Sequence, residues 1–87
     1  MDIQNLRAFL AVAEAGSFSL AAEKLHLTQP AVSKRIAQLE EELGSPLFDR
    51  IGRNTSITEA GAALLPHART VQMQLQAAEQ AVRDLAG

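Results

Sequence analysis

Residues 17–43 read SFSLAAEKLHLTQPAVSKRIAQLEEEL, and the turn in their middle decides the fold. Pro30 is tolerated only in the first turn of a helix, and Thr28 just before it is a good N-cap. A helix is therefore expected from Gln29 to about Leu43, stopped by Gly44. Its apolar residues Val32, Ile36, Leu39 and Leu43 are spaced four, three and four. At the helical angle they cluster within roughly 40° of one another. Pro30, Lys34, Ala37 and Glu41 lie opposite, with Gln29 and Ser33 flanking that outer face. A shorter helix precedes the turn over residues 17–25. Either Ser17 or Ser19 can cap it, and Leu20 and Ala21 share an apolar face with Leu25. His26-Leu27 leads into the tight turn near residues 26–28.

The flanking segments have equally local signals. Ile3, Leu6, Phe9, Leu10 and Ala13 form a one-sided helical stripe. Asp2 is placed to cap that helix and Gly16 to end it, which predicts a helix over Ile3–Ala15. After Gly44, Pro46 starts a new element. Leu47-Phe48 and Thr55-Ser56-Ile57 suit short strands around a turn at Gly52 and Asn54. From Thr58 to about Leu85 one long helix is expected, capped by Thr58 with Glu59 in its first turn. Pro66 removes a backbone donor there and predicts a kink near Ala62. Leu64, Ala68, Val71, Leu75, Ala78, Val82 and Leu85 are spaced 4-3-4-3-4-3. That is a coiled-coil seam about 30 Å long.

The chain has 87 residues, 47% of them hydrophobic and 21% charged, and no Cys. This is a globular composition, with no disulfide or thiolate metal site to stiffen a small core. A second copy, paired through the seam, would supply the missing burial. No apolar run is long enough to span a membrane, and Met1 to Asn5 lack the features of a signal peptide, so a cytoplasmic location is expected. Formal charge is −2, which taken alone argues against a nucleic-acid partner. The distribution says otherwise. Thr28 to Arg35 contains Lys34 and Arg35 and no acid. Arg50 to Thr58 contains Arg50 and Arg53 and no acid. A dimer presents both basic windows twice, and so few cations predict modest non-specific binding with a shallow salt slope.

Two amphipathic helices joined by a tight turn, the second with small and polar residues outward, have the layout of a helix-turn-helix. Such a second helix enters the major groove of DNA. Gln29 can pair with adenine, and Ser33 can donate or accept. Thr28 and the N–H groups of the helix start can take a phosphate. Lys34 can reach a guanine edge or a phosphate, and Pro30 or Ala31 a thymine methyl. The same pattern also fits a plain helical hairpin in a core. The hairpin with Arg50, Arg53 and Asn54 favours the first reading, as a basic wing beside a recognition helix suits an A·T-rich minor groove. For Arg50, more than for Arg53, an ion pair with Asp49 or Glu42 is the competing role. Glu40-Glu41-Glu42 reads as a solvated helix end. His26 and His67 are 41 positions apart with no ligand cluster, and no nucleophile elbow or phosphate loop occurs, so neither an enzyme nor a metal or cofactor site is expected. A helical dimerisation module that ignores DNA is the alternative function.

The sequence resembles the N-terminal DNA-binding region of the bacterial LysR-type transcriptional regulators along essentially its whole length. The resemblance rests on Leu6 with Phe9 and Val12-Ala13, Gly16-Ser17-Phe18, Ala21-Ala22 with Leu25, and Thr28-Gln29-Pro30-Ala31-Val32-Ser33-Lys34. It continues through Ile36, Leu39-Glu40, Leu43-Gly44, Leu47-Phe48 with Arg50, and Thr58-Glu59-Ala60-Gly61. It implies a mostly α, winged helix-turn-helix fold over residues 1–57, with three helices and a two-stranded wing, and a dimerising linker helix over residues 58–87. It also implies antiparallel pairing of linker helices in a homodimer on a palindromic or near-palindromic operator. Gln29, Pro30, Ser33 and Lys34 would face the major groove, Thr28 and Thr58 would touch phosphates, and Arg53 would enter the minor groove. Lys34 stands where the family often has Arg and lacks the bidentate fork. Arg35, about 70° from the core stripe, either reaches a phosphate or packs along its helix. Family members continue into an effector-binding region for a small molecule, so the chain is expected to be part of a longer regulator.

Overall fold

The computed structural model describes residues 1–51 and 54–86. The elements are α1 (Ile3–Ala15), α2 (Phe18–Leu25), α3 (Gln29–Leu43), β1 (Phe48–Ile51), β2 (Asn54–Ile57) and α4 (Glu59–Ala86). Local chemistry sets most of their ends. Asp2 Oδ1 accepts the Gln4 N–H at 2.7 Å, Ser17 Oγ the Leu20 N–H at 3.2 Å, and Thr28 Oγ1 the Ala31 N–H at 3.2 Å. Ser17, not Ser19, is therefore the cap of α2. Gly16 and Gly44 close α1 and α3 in the left-handed conformation, at φ +67° and +73°. α2 closes on His26 at φ +56°, where a side chain is less well tolerated than glycine.

The three short helices surround a core whose largest fully buried side chains are Phe9, Leu39, Leu47, Val12 and Val32. α1 packs on α2, α3 and α4. Phe9 meets Phe48 at 5.4 Å between ring centroids, and Phe18 meets Phe48 edge-on at 5.8 Å. Two apolar positions of α2 and α3 differ from the sequence expectation. Leu20 does not join the inner face of α2; it is 50% exposed, and Phe18, Ala21 and Ala22 take the buried positions. Leu43 is 41% exposed, because the last turn of α3 runs past the core.

β1 and β2 pair antiparallel, with Phe48 opposite Ile57, Asp49 opposite Ser56, Arg50 opposite Thr55 and Ile51 opposite Asn54. Asn54, expected in the turn, is thus the first residue of β2. Gly52, its expected companion, lies outside the described residues. The hairpin is tied down on both sides. Glu40 Oε2 accepts the Leu47 N–H at 2.7 Å. The Thr58 N–H donates to Leu47 O at 3.0 Å, and Thr58 Oγ1 donates to Pro46 O at 2.7 Å. Glu40 is therefore a structural side chain and not part of a solvated helix end. Glu42 takes the N-terminal ammonium at 3.1 Å, and Glu41 is exposed.

α4 continues as one α-helix through Pro66 for 28 residues, about 42 Å. Its first half belongs to the core described above. Gly61 and Ala68 are buried, and Ala60, Leu64 and Leu65 pack against the same cluster. Ala68, expected in a seam facing a second chain, has no exposed surface left for one. Leu75 is half-buried and lines a crevice with Ile3, Leu6 and Leu10 of α1. The seam positions that remain on the surface are Val71, Ala78, Val82 and Leu85.

Candidate nucleic-acid interface

The start of α3 is a solvent-facing edge. Thr28, Gln29, Pro30 and Lys34 are exposed, and Ala31, Ser33 and Arg35 are half-buried. The hydrophobic stripe Val32, Ile36 and Leu39 anchors the opposite side of the helix in the core. The N-terminal end carries the positive pole of the helix and suits an anion. Thr28 uses a lone pair on the Ala31 N–H, which leaves its hydroxyl proton for an external acceptor. Gln29 is steadied from α2, as Ser19 Oγ donates to Gln29 Oε1 at 3.1 Å. That contact had no local signal in the sequence, because the partners are ten residues apart and meet only once the turn has formed. Arg35 points away from this edge. Its Nη1 donates to Gln4 Oε1 of α1 at 3.4 Å.

The wing approaches the same edge through Arg50. Its guanidinium lies over the Phe18 ring, 3.3 Å from the centroid, and its Nη2 donates to Ser33 Oγ at 3.0 Å. Among the described residues Arg50 has no ion pair; neither Asp49 nor Glu42 takes it. A cation over an aromatic face is held by the ring quadrupole. Arg50, Asn54 and Thr55 of the wing, Gly16 to Ser19 around the start of α2, and Gln29 of α3 line one open cleft of about 270 Å³. Four expected contact residues, Gln29, Ser33, Arg50 and Asn54, thus gather around the junction of α2, α3 and the wing. Arg53 lies outside the described residues. Thr58 sits apart with its hydroxyl committed: it accepts the Gly61 N–H at 3.0 Å and gives its single proton to Pro46 O. A phosphate only accepts hydrogen bonds, so the expected phosphate contact from this hydroxyl would have to break the Pro46 bond.

Among the described residues no three His, Cys, Asp or Glu side chains are grouped so as to hold a metal ion. No described helix is long and apolar enough to cross a membrane.

An HTH-type transcriptional regulator in the ibpB-leuC intergenic region of Azotobacter vinelandii is 58% identical over 87 residues, which is all of this chain and 60% of that protein. The chain spans less than a third of the next curated relatives. Among solved structures, BenM_DBD in complex with catB site 1 DNA superposes with a TM-score of 0.93 at 34% identity, covering 100% of this chain and 98% of that one. CbnR_DBD in complex with DNA superposes at 0.89 with 36% identity, covering both chains completely. Residues 3–62, from α1 into the first turn of α4, match the family described as bacterial regulatory helix-turn-helix protein, lysR family. With this match across the whole helix-turn-helix and wing, the chain belongs to the lysR family of bacterial regulatory proteins.

Proposed function

We propose that this chain binds double-stranded DNA with sequence preference, as a homodimer, and forms the DNA-binding part of a bacterial transcriptional regulator acting in the cytoplasm without enzymatic activity. The observation that carries this reading is the outer edge of α3. Thr28, Gln29, Pro30 and Lys34 are exposed on one helix start with no acid between them, and the wing abuts that edge through Arg50 and Ser33. Gln29 and Ser33 would meet base edges in the major groove, with Pro30 or Ala31 against a thymine methyl and Lys34 on a phosphate beside them. Thr28 would take a phosphate. Arg53 and Asn54 would carry the wing into the minor groove. The two superposed structures are both DNA complexes, which supports the same docking.

Pairing is supported by the far end of α4, where Val82 is 68% and Leu85 90% exposed. Large apolar side chains so exposed at heptad spacing suit a second helix. The same observation favours a pairing module that ignores DNA, and one experiment separates the two readings. Affinity for mixed genomic DNA is measured by anisotropy across a salt series. A DNA binder loses affinity with a log–log slope of about −0.9 per phosphate contact. A folded dimer with no detectable binding at low salt is the outcome that sinks the proposal.

A further inference from the structure

Arg50 is exposed, yet its guanidinium is placed by two neighbours on different elements. Phe18 of α2 supplies a ring face and Ser33 of α3 a hydroxyl oxygen. Clefts open on both sides of this contact, one lined by Gln29 and Asn54 and the other by Ile36 and Glu40. Burial does not confine the guanidinium; the ring and the hydroxyl do.

The consequence falls on Ser33. A serine hydroxyl has one proton and two lone pairs. Arg50 occupies one lone pair with a charge-assisted bond. Among the described residues the Ser33 proton is given to no protein acceptor, whereas Thr70 on α4 turns its own back to Pro66 O at 3.0 Å. The cation bonded to the Ser33 oxygen strengthens the O–H as a donor and weakens the one remaining lone pair as an acceptor, so Ser33 meets the outside chiefly as a donor. In the major groove the atoms that accept such a proton are guanine N7 and O6, adenine N7 and thymine O4. The cytosine amino group needs an acceptor and is disfavoured.

We infer that Arg50 is a specificity-determining positioning residue: it fixes Ser33 as a hydrogen-bond donor and so biases the base that Ser33 reads. The inference rests on the DNA-binding reading above. It differs from a direct phosphate contact by Arg50, which would weaken all sequences alike.

The test uses a duplex recovered by one round of in vitro selection with the wild-type chain, and random duplex as reference. Arg50→Lys keeps the charge and loses the planar fork. The expected result is a fall of about five- to tenfold in the preference for the selected duplex, the lower end of a good base contact, with the salt slope unchanged. In a Ser33→Ala background the same substitution should change that preference by less than twofold. Equal weakening on both duplexes, or an equal fall in both backgrounds, overturns the inference. A measurement without DNA keeps the two proposals distinguishable. The side-chain ¹⁵N signal of Arg50 in the unbound protein should show restrained, slowly exchanging N–H groups, and Ser33→Ala should release them. An unchanged signal overturns the inference even if DNA binding stands. A released signal with no DNA binding by the wild type overturns both the reading and the inference built on it, while leaving the contact itself in place.

Discussion

The carboxylate of Glu40 receives the backbone N–H of Leu47 at 2.7 Å, and this bond holds the chain as it turns from α3 into the wing. Leu47 is 1% exposed, so water is poorly placed to replace the acceptor. A hydrogen bond to a charged group contributes more than a neutral one. Glu40→Ala should therefore lower stability by about 1–2 kcal/mol, and Glu40→Gln, which keeps an acceptor oxygen, by less than half of that. Urea unfolding midpoints of the three proteins decide it. Equal losses for the two variants would show that the bond itself is not the cause.

Gly61 tests the other side of the wing. A Cβ added there would be driven into the Leu47 carbonyl and would lie 2.6 Å from Ile57 Cγ1. Replacing a helical glycine by alanine ordinarily gains up to about 1 kcal/mol. The clash reverses that sign, because overpacking costs about 1–3 kcal/mol and one neighbour is backbone that cannot rotate away. Gly61→Ala should unfold at a lower temperature than wild type. A rise in Tm would mean that α4 and the wing can separate at little cost.

The element ends were legible in the sequence because their causes are local. Asp2, Ser17 and Thr28 each bond an N–H two or three residues on, and Gly16 and Gly44 adopt the positive φ that their placement implied. What escaped was set by contacts between elements. Phe18, whose ring packs on Phe48 thirty positions away, takes a buried position of α2, and Leu20 two residues on faces solvent. The heptad spacing of Leu64 and Ala68 was real, but a heptad does not say which helix fills it, and here α1 and the core take the first turns. Glu40 and Arg50 have partners in the backbone and on an aromatic ring, so a search for opposite charges would pass over both.

At the candidate interface, Gln29 and Lys34 should fail in different ways. Gln29 is exposed and steadied by Ser19, which suits it to read a base edge. Lys34 is exposed and has no ion pair among the described residues. Gln29→Ala should reduce discrimination between selected and random DNA by about 1–3 kcal/mol, with the salt slope intact. Lys34→Ala should weaken binding on every sequence and reduce the slope by about 0.9 per subunit if it meets a phosphate. A change in sequence preference with Lys34→Ala would instead make it a reader of bases.

Val82 offers a clean test of pairing, because it is 68% exposed and touches nothing in the core of its own chain. Leu75 would be a poorer choice, since it lines the crevice against α1 and a charge there would also disturb the fold. Val82→Glu should leave the helical content unchanged. If the end of α4 is the contact between two chains, the substitution places like charges in an apolar seam and shifts the protein toward monomer in sedimentation at low micromolar concentration. It should also remove the dependence of Tm on protein concentration. DNA affinity should then fall without any change at α3, because two linked half-site contacts bind more tightly than one. A Val82→Glu protein that remains dimeric at the lowest measurable concentration would locate the pairing surface elsewhere on the chain.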